Sequence, residues 1–433
     1  MQDLDLSKIK KIFFIGIGGI GISALAKMAI SKGMEVSGVN DDESPKTLDP
    51  FRELRVEIFL KDDLRTGFRQ NQAKASPFKT ADLYVYSDAW LYRGPEIIEE
   101  AKKTGKPVLS YFEALGQFAK DYKVVAIAGT HGKTTTTAMV AEILIDAGLD
   151  PTVVVGSFVK KFNSNFRNGS TSSLQGGKGY LVVEADEYNR HFLNFYPFLA
   201  AVTNIEVEHL DCYKNLEDIK EAFNKFLSQS VNKITDYEKF LEKVPKLSVP
   251  GEHNRMNAAA ALAISSFLGI SEEVAKKSLS EFTGTWRRLE KRGETKKGTI
   301  IYDDYAHHPT EIKASLEGLR ELYPKNQKKI TVVFQPHLYS RTKALFNDFT
   351  KCFGQADRII LLPIFFAREA KDESISSEKL ASAICLMGGK AKAFADFELA
   401  ENYLISQDFG KDDVFVTMGA GEAYKITEKV FNL

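Results

Sequence analysis

The segment Gly129–Thr134, which reads GTHGKT, lies between the apolar run VVAIA and a run typical of a helix. Glycines at such a turn let backbone N–H groups approach phosphate oxygens, and the start of a helix favours their negative charge. Lys133 then suits the β- and γ-phosphates of a nucleotide, and Thr134 suits Mg²⁺. The consensus is incomplete because Ile127 stands at the position of its first glycine. An ordinary turn with an incidental lysine is the alternative, but the strand–turn–helix order favours a nucleotide-binding loop.

A second glycine-rich turn, GIGGIG at residues 16–21, follows the first apolar run of the chain, KIFFI. A fingerprint of this kind binds the phosphates of a dinucleotide, and an acid after the next strand binds a ribose. Asp41 and Asp42 stand in that position. The turn alone leaves three possibilities open: a nicotinamide cofactor, a nucleotide sugar, or close packing of a helix on a strand without any ligand.

A short acidic group, Glu184-Ala185-Asp186-Glu187, follows the apolar run YLVV. Parallel α/β sheets bind their ligands at the carboxyl ends of strands, and carboxylate oxygens are ligands that Mg²⁺ prefers. Because a phosphate-binding loop is predicted nearby, the sequence favours a metal site over a solvated acidic turn.

Six of the seven histidines lie in loops rich in glycine, proline or acidic residues, mostly at the ends of predicted strands. A single histidine is usually structural, yet six in loops of this kind predict a shared polar site. The six are His131, His209, His253, His307, His308 and His337.

Three arginines also lie in loops of the last third of the chain, at Arg287, Arg288 and Arg341. Their planar guanidinium groups suit phosphate or carboxylate. For Arg287, a surface salt bridge is an equally good expectation.

The elements that must position these residues follow a regular order. Short apolar runs alternate with amphipathic stretches, which is typical of parallel α/β sheets. The alternation restarts near Tyr122 and near Thr285, and 433 residues are too many for one hydrophobic core. We therefore expect an α/β fold of three domains. Residues 1–121 form a Rossmann-like domain, residues 122–284 a parallel sheet of the P-loop ATPase type, and residues 285–433 a second Rossmann-like domain.

Composition excludes several classes of partner. Lys+Arg and Asp+Glu are both 58, so the net charge is +0 and general binding to nucleic acid is not expected. The sequence has no run of 18 apolar residues, so we expect no membrane span. The three scattered cysteines, Cys212, Cys352 and Cys385, suit a reducing cytoplasm rather than a disulfide framework or a zinc site.

Eight motifs together resemble the Mur ligases, a family of ATP-dependent, amide-forming ligases. In chain order they are GIGGIGIS, AGTHGKTTTT, EADE, TNIEVEHLD, GEHNRMNAAAA, DDYAHHPTEI, FQPHLYSRT and TMGAG. AGTHGKTTTT with FQPHLYSRT is similar to the branch that adds L-alanine to UDP-N-acetylmuramate. The resemblance implies a cytoplasmic enzyme of peptidoglycan precursor synthesis that uses ATP with Mg²⁺ (or Mn²⁺), as a monomer or weak homodimer.

The resemblance also implies what each domain does. The first domain holds the UDP-sugar, the second holds ATP and metal, and the third closes over both with the amino acid. The muramate carboxylate attacks the γ-phosphate to give an acyl phosphate, and the amine of L-alanine then displaces phosphate.

The resemblance further implies a set of site residues. The UDP-sugar contacts are Gly16, Gly18, Gly19, Gly21 and Asp41. The nucleotide contacts are Gly129, Thr130, His131, Gly132, Lys133, Thr134, Thr135, Asn254, Asn257, Arg288 and Asp304. The metal ligands are Thr134, Glu184 and His209. The catalytic residues are Lys133, His209, His308 and Arg341, with Arg341 as the anchor of the amino acid's carboxylate.

The chain departs from the family pattern in three places that bear on function. Asn40 ends the second strand where the family usually has aspartate. The segment Leu227–Pro250 is several tens of residues shorter than usual, and we expect it to be non-catalytic. Phe223 stands where several sister ligases have a carbamylated lysine, and Lys220 lies nearly one helical turn earlier. We therefore expect activity without bicarbonate and an inward-facing Phe223.

Three other functions compete with this hypothesis. A sister ligase that joins a preformed peptide to the same UDP-sugar shares the loop and EADE, but usually lacks FQPHxYSRT. A nicotinamide-dependent oxidoreductase explains only GIGGIG. A P-loop motor or regulatory NTPase would need a sensor or arginine-finger arrangement, and nothing in the sequence resembles one.

Overall fold

The structure, a computed structural model, describes residues 4–42, 46–64, 77–170, 177–209, 212–366 and 369–431. The chain divides into two compact units. One unit comprises Met1–Pro245 with Asn257–Glu281, and the other comprises Lys246–Met256 with Phe282–Leu433. The first unit contains two sheets and the second contains one. The predicted α/β class is confirmed.

The N-terminal sheet is entirely parallel, with strand order β3-β2-β1-β4-β5. Its strands are apolar runs because both faces are covered by helices. Strand order reverses beside β1, and ligands bind at such a switch point. The glycine turn that follows β1 therefore lies at the expected place. The strands are β1 Lys11–Ile15, β2 Glu35–Asn40, β3 Glu57–Leu60, β4 Leu83–Tyr86 and β5 Val108–Ser110; the helices are α1 Ile20–Ser31, α2 Asp49–Glu53, α3 Pro77–Thr80, α4 Trp90–Arg93, α5 Pro95–Lys103 and α6 Tyr111–Ala119, with 3₁₀ turns at Leu6–Lys8 and Lys46–Leu48.

The central sheet has the order β11-β10-β6-β9-β7-β8. All of its strand pairs are parallel except β7 with β8, which form an antiparallel hairpin that the sequence did not predict. Strand β6 lies between β10 and β9, so the loops after these three strands meet at one edge. The strands are β6 Lys123–Ala128, β7 Thr152–Val159, β8 Ser164–Arg167, β9 Tyr180–Glu184, β10 Leu199–Val202 and β11 Asn232–Ile234; the helices are α7 Lys133–Asp146, α8 Leu216–Ser228, α9 Glu252–Phe267 and α10 Glu272–Glu281, with 3₁₀ turns at Lys160–Phe162, Tyr188–Asn194 and Glu238–Lys243.

The third sheet has the order β12-β13-β17-β14-β15-β16, with only β12 antiparallel to its neighbour. The loops after β13, β14 and β17 carry the predicted histidine and glycine motifs. The strands are β12 Glu290–Glu294, β13 Ile300–Asp304, β14 Lys329–Phe334, β15 Arg358–Leu361, β16 Ala391–Ala393 and β17 Asp413–Met418; the helices are α11 Pro309–Leu322, α12 Tyr339–Ala344, α13 Phe346–Phe349, α14 Ser377–Leu386, α15 Phe397–Ile405 and α16 Ile426–Phe431, with a 3₁₀ turn at Ala423–Lys425.

Helix α8 is amphipathic, and Phe223 is fully buried on its inner face. Lys220 is exposed and pairs with Glu217 at 2.8 Å. The expectation that Phe223 faces inward is therefore confirmed. Across the described ranges, every helix is too short or too polar to cross a membrane.

Candidate active site

The loop between β6 and α7 requires both of its glycines. Gly129 has φ 138° and Gly132 has φ 82°, which L side chains rarely adopt. A Cβ at Gly129 would lie 2.0 Å from Oγ1 of Thr203, and one at Gly132 would lie 2.2 Å from Oδ1 of Asn257. The loop therefore presents bare backbone at the start of α7, as a phosphate-binding turn must.

Two residues after β10 hold this loop in shape. The backbone N–H groups of His131 and Thr130 donate to the side-chain and backbone oxygens of Asn204, at 2.9 and 3.1 Å. The Thr203 hydroxyl donates to the carbonyl of His131 at 2.6 Å. Neither Thr203 nor Asn204 was predicted as a site residue. The available signals were their position at the end of an apolar run and their place in the motif TNIEVEHLD.

Lys133 is the first residue of α7, and its ammonium group binds back onto its own loop. It donates to the carbonyls of Gly129 and Thr130 at 2.6 and 3.1 Å, and it pairs with Glu187 at 2.8 Å. Burial opposes the charged form of Lys133, but nearby carboxylates outweigh it and raise its pKa, Glu187 most strongly, followed by Asp186. The lysine is therefore a fixed positive charge.

Thr134 and Glu184, two of the three predicted metal ligands, are in contact. The Thr134 hydroxyl lies 2.9 and 3.0 Å from the two carboxylate oxygens of Glu184, which also accepts from the N–H of Gly156 at 2.9 Å. His209, the third, lies with Nε2 3.5 Å from Glu187.

The charges in this cluster suit a divalent cation. Three acids, Glu184, Asp186 and Glu187, lie near Lys133 and favour its charged form. Burial, and then Glu187, raise the pKa of Asp186 to about 6. Burial would raise the pKa of Glu187 as well, but Lys133 and His209 hold it below its ordinary value. An oxygen-rich cluster with a surplus of negative charge fits Mg²⁺, and Mn²⁺ accepts similar ligands.

The N-terminal glycine loop is tightly packed at several positions. Added Cβ atoms would lie 2.3 Å from the Trp90 indole at Gly16, 2.8 Å from the Asn40 amide at Gly18, 3.2 Å from Ile22 at Gly19 and 3.0 Å from the Tyr111 ring at Gly21. These contacts alone require glycine at positions 16 and 18, so packing and ligand binding favour the same residues here.

The predicted ribose ligands after β2 make contacts within the protein. Asp41 pairs with Arg93 at 3.0 Å, and Asp42 contributes its backbone carbonyl to the Asn40 amide at 2.9 Å. Asn40 itself is buried and accepts from the N–H of Gly18 at 3.2 Å. The Asn40 side chain thus contacts the glycine loop, at a position where the family usually has aspartate.

In the second unit, Arg287 pairs with a carboxylate, and its burial shows that the expected alternative of a surface salt bridge is wrong. It is 4% exposed, pairs with Asp303 at 2.7 Å, and donates to the carbonyls of Gly419 and Gly421 at 2.7 and 3.2 Å. Its guanidinium also stacks on Tyr424, 4.5 Å from the ring centre. Each of its three nitrogens donates to an acceptor within the protein, so Arg287 is a buried ion pair rather than a surface salt bridge.

Asp304 and Arg288 follow Asp303 and Arg287 directly in the sequence; Asp304 ends β13, and Arg288 precedes β12. Asp304 is buried, and its carboxylate accepts from the Ser315 hydroxyl and, at 3.2 Å, from the N–H of Ala306. Burial raises its pKa to about 6, although Ser315 and Arg288 lower it. Arg288 lies over the ring of Tyr305 at 5.2 Å.

The remaining histidine motifs form a polar group on the third sheet. Nδ1 of His307 donates to the carbonyl of Tyr305 at 3.0 Å, and the His307 and His337 rings are 5.8 Å apart. Nη1 of Arg341 lies 3.1 Å from Nδ1 of His337. His308 caps helix α11, since its Nδ1 accepts from the N–H of Thr310 at 3.3 Å.

Helix α9 carries the two predicted adenine-side asparagines. Asn254 is buried and donates to the carbonyl of Pro250 at 2.7 Å, whereas Asn257 lies against Gly132. Burial lowers the pKa of His253 to about 4, so this histidine is neutral near pH 7.

The fold and the loop after β6 define an α/β protein of the phosphate-binding type, and comparison with known proteins identifies its family. Three descriptions match successive parts of the chain: "Mur ligase family, catalytic domain" at residues 11–123, "Mur ligase middle domain" at 127–236, and "Mur ligase, glutamate ligase domain" at 287–421. The chain belongs to the Mur ligase family.

Two full-length relatives have the name UDP-N-acetylmuramate–L-alanine ligase. UDP-N-acetylmuramate–L-alanine ligase of Clostridium botulinum is 37% identical, with 100% of this chain and 99% of the relative covered. The ligase of the same name from Caldanaerobacter subterraneus is 35% identical, covering 99% and 98%. The crystal structure of UDP-N-acetylmuramate-alanine ligase from Thermotoga maritima is 26% identical, covers 98% of both chains and has a TM-score of 0.77. A murein peptide ligase from Psychrobacter arcticus, 21% identical with 98% and 99% covered and a TM-score of 0.66, has the same fold.

Proposed function

We propose that the protein is an ATP-dependent ligase that joins L-alanine to UDP-N-acetylmuramate in peptidoglycan precursor synthesis. The observation that carries the proposal is the glycine loop after β6, with Lys133 and Thr134 at the start of α7 beside the buried acids. Family membership and the names of the full-length relatives supply the substrates. Family membership also argues against a nicotinamide oxidoreductase or a P-loop motor.

Phosphoryl transfer needs positioning and neutralisation of charge more than covalent chemistry from the protein. The muramate carboxylate attacks the γ-phosphorus of ATP, ADP leaves, and an acyl phosphate forms. Lys133 and the N–H groups of the loop stabilise charge on the transferring group. The amine of L-alanine then attacks the carbonyl carbon, loses a proton and expels phosphate as the amide bond forms.

Mg²⁺ would supply further charge neutralisation at the phosphates. We assign its ligands to Thr134, Glu184 and His209, with Mn²⁺ as a substitute. Thr134 and Glu184 already share a hydrogen bond. A bound cation would take the place of this hydrogen bond.

The remaining site residues keep the roles that the family resemblance implies. Gly16, Gly18, Gly19 and Gly21 line the UDP-sugar site, and we add Asn40 to Asp41 there. In the second unit, Arg341 anchors the amino acid's carboxylate, and His308 acts near its amine through Nε2, because Nδ1 caps α11. We propose the three expected domains, at 1–121, 122–284 and 285–433, and the cytoplasm as the place of reaction.

The decisive measurement is phosphate release with Mg²⁺ present. Release should require UDP-N-acetylmuramate, ATP and an amino acid together, and a panel of alanine, serine and glycine should show the highest kcat/KM for alanine. Small apolar differences of this size are worth only about 1–3 kcal/mol, so partial activity with the other two is expected. Preference for a preformed peptide over all three amino acids would instead identify a recycling ligase.

A further inference from the structure

Glu187 holds Lys133 in a closed arrangement. A lysine ammonium has three N–H donors, and in Lys133 they are directed at the carbonyls of Gly129 and Thr130 and at Oε1 of Glu187, at 2.6, 3.1 and 3.0 Å. A lysine that binds β- and γ-phosphates must release at least one of these partners. The two carbonyls belong to the loop itself, so Glu187 is the partner that a phosphate would replace.

The Glu187 side chain is almost sealed from solvent. It is 3% exposed, against 13% for Lys133, and its other close partner is Nε2 of His209 at 3.5 Å. If a phosphate took over Lys133, Glu187 would be left buried beside a second anion. Removing one partner of a buried ion pair is strongly unfavourable because the remaining charge is uncompensated.

The backbone around Glu187 fixes it in this position. Asn189 and Arg190 have φ 48° and 59°, in the left-handed region that is costly for residues other than glycine. Arg190 pairs with Asp218 at 2.6 Å, and the Tyr213 hydroxyl donates to the carbonyl of Glu187 at 2.5 Å. Strain of this kind persists only where the surroundings over-determine it, and it concentrates at functional sites.

We propose that Glu187 is a positioning residue that holds Lys133 against its own loop and thereby makes nucleotide binding depend on a divalent cation. The inference rests on the proposed function only in taking the nucleotide to be ATP. Without the cation, phosphates must separate Lys133 from Glu187 and leave a buried carboxylate next to the triphosphate. When the cation is bound, its positive charge compensates the acid cluster for the loss of Lys133 as a partner.

The test measures binding of a non-hydrolysable ATP analogue by calorimetry, in EDTA and in Mg²⁺, without UDP-sugar or amino acid. Glu187→Gln should bind the metal-free analogue at least tenfold more tightly than the wild type, and Mg²⁺ should improve its affinity correspondingly less. Glu184→Gln is the matched control, since it removes a neighbouring carboxylate that contacts Thr134 rather than Lys133. Its gain without metal should be several-fold smaller. Equal gains in the two variants would mean that the loss of any nearby negative charge improves metal-free affinity, and this would overturn the proposal.

A double-mutant cycle isolates the pair. In a Lys133→Ala background, Glu187→Gln should give a several-fold smaller gain in metal-free affinity than in the wild type, because only repulsion between the carboxylate and the phosphates remains; an undiminished gain would contradict the proposal. Glu187→Asp keeps the charge on a shorter side chain and should be intermediate, which provides a second variant if Glu187→Gln melts below the assay temperature. Failure of the phosphate-release assay with these binding results intact would remove the proposed substrates and leave the role of Glu187 standing.

Discussion

Phe223 packs edge-on against Phe192, with 5.1 Å between the ring centroids, inside the fully buried face of helix α8. Several sister ligases are expected to have a carbamylated lysine at the position of Phe223, to help hold a second Mg²⁺. Lys220, nearly one turn earlier, is exposed and paired with Glu217. We therefore predict that activity does not depend on bicarbonate and that Lys220→Ala keeps most of it. Rates measured in CO₂-depleted buffer, with and without added bicarbonate, check this, and recovery of a lost rate on adding bicarbonate would show it to be wrong.

Lys133→Ala should abolish turnover while the protein stays folded. Losing a cation at the transferring phosphoryl group removes several kcal/mol of transition-state stabilisation, which lowers the rate on the order of 10³-fold or more. The variant also leaves Glu187 without its counter-charge, so some thermal stability is lost. The measurement is phosphate release together with a circular-dichroism melt. The double variant Lys133→Ala/Glu187→Gln should recover stability without recovering activity; activity near the wild-type level in either variant would exclude the loop from the mechanism.

Local patterns predicted the elements around this loop, but not the contacts between them. VVAIAGTHGKT specifies strand, turn and helix because each depends on residues close in sequence. The bond from His131 to Asn204 joins residues 73 apart, and it exists because β10 pairs with β6. The hydrophobic pattern of β6 or of β10 does not reveal that the two strands pair, so Asn204 was not predicted.

Arg287 shows the same limit for charged residues. Its neighbours in sequence are compatible with a surface or a phosphate-binding position. The acceptors that bury it, Asp303 and the carbonyls of Gly419 and Gly421, come from strands β13 and β17 and the following turn, which meet only in the folded sheet. Burial of a charge therefore could not be predicted before the order of the third sheet was known.

Arg341→Ala should raise the KM for the amino acid far more than the KM for ATP. A charge-assisted hydrogen bond is worth roughly 1.5–3 kcal/mol, or about 10- to 150-fold in affinity. Arg341→Lys is the control, because it keeps the charge and loses the planar guanidinium. Its KM for the amino acid should lie between those of the wild type and Arg341→Ala. Initial rates over a range of alanine and ATP concentrations provide the test, and an unchanged KM for alanine would assign Arg341 to structure.

Glu142 should make stability fall as pH rises. It is buried on α7, where burial raises its pKa to about 7 from 4.5 although Lys161 opposes this. The folded state thus holds this proton more tightly than the unfolded state. The resulting stability is complete below about pH 4.5 and is lost as pH rises through about 7, by on the order of 3 kcal/mol. Urea unfolding at several pH values should show this loss in the wild type and a flatter profile in Glu142→Gln; parallel profiles would contradict it.

The short segment after α8 should support the nucleotide loop without taking part in chemistry. It contributes the edge strand β11 and the buried Tyr237, whose hydroxyl donates to the carbonyl of Thr203. Alignment with the Clostridium botulinum relative spans 481 positions although this chain has 433 residues, so several tens of positions have no counterpart here. Length changes of this kind cost little when they fall in a connection, because loop-closure entropy grows slowly.

Within that segment, Tyr237→Phe tests support against catalysis. The substitution leaves the Thr203 carbonyl without its donor, which should lower the free energy of unfolding by about 1–3 kcal/mol. Because no substrate is expected to touch Tyr237, kcat should stay within about twofold of the wild type at a temperature where both proteins are folded. Asp236→Ala, at an exposed neighbouring position, is the control and should change neither quantity. Urea unfolding and steady-state rates on the same preparations decide the matter, and a loss of kcat without a loss of stability would place the segment in the reaction itself.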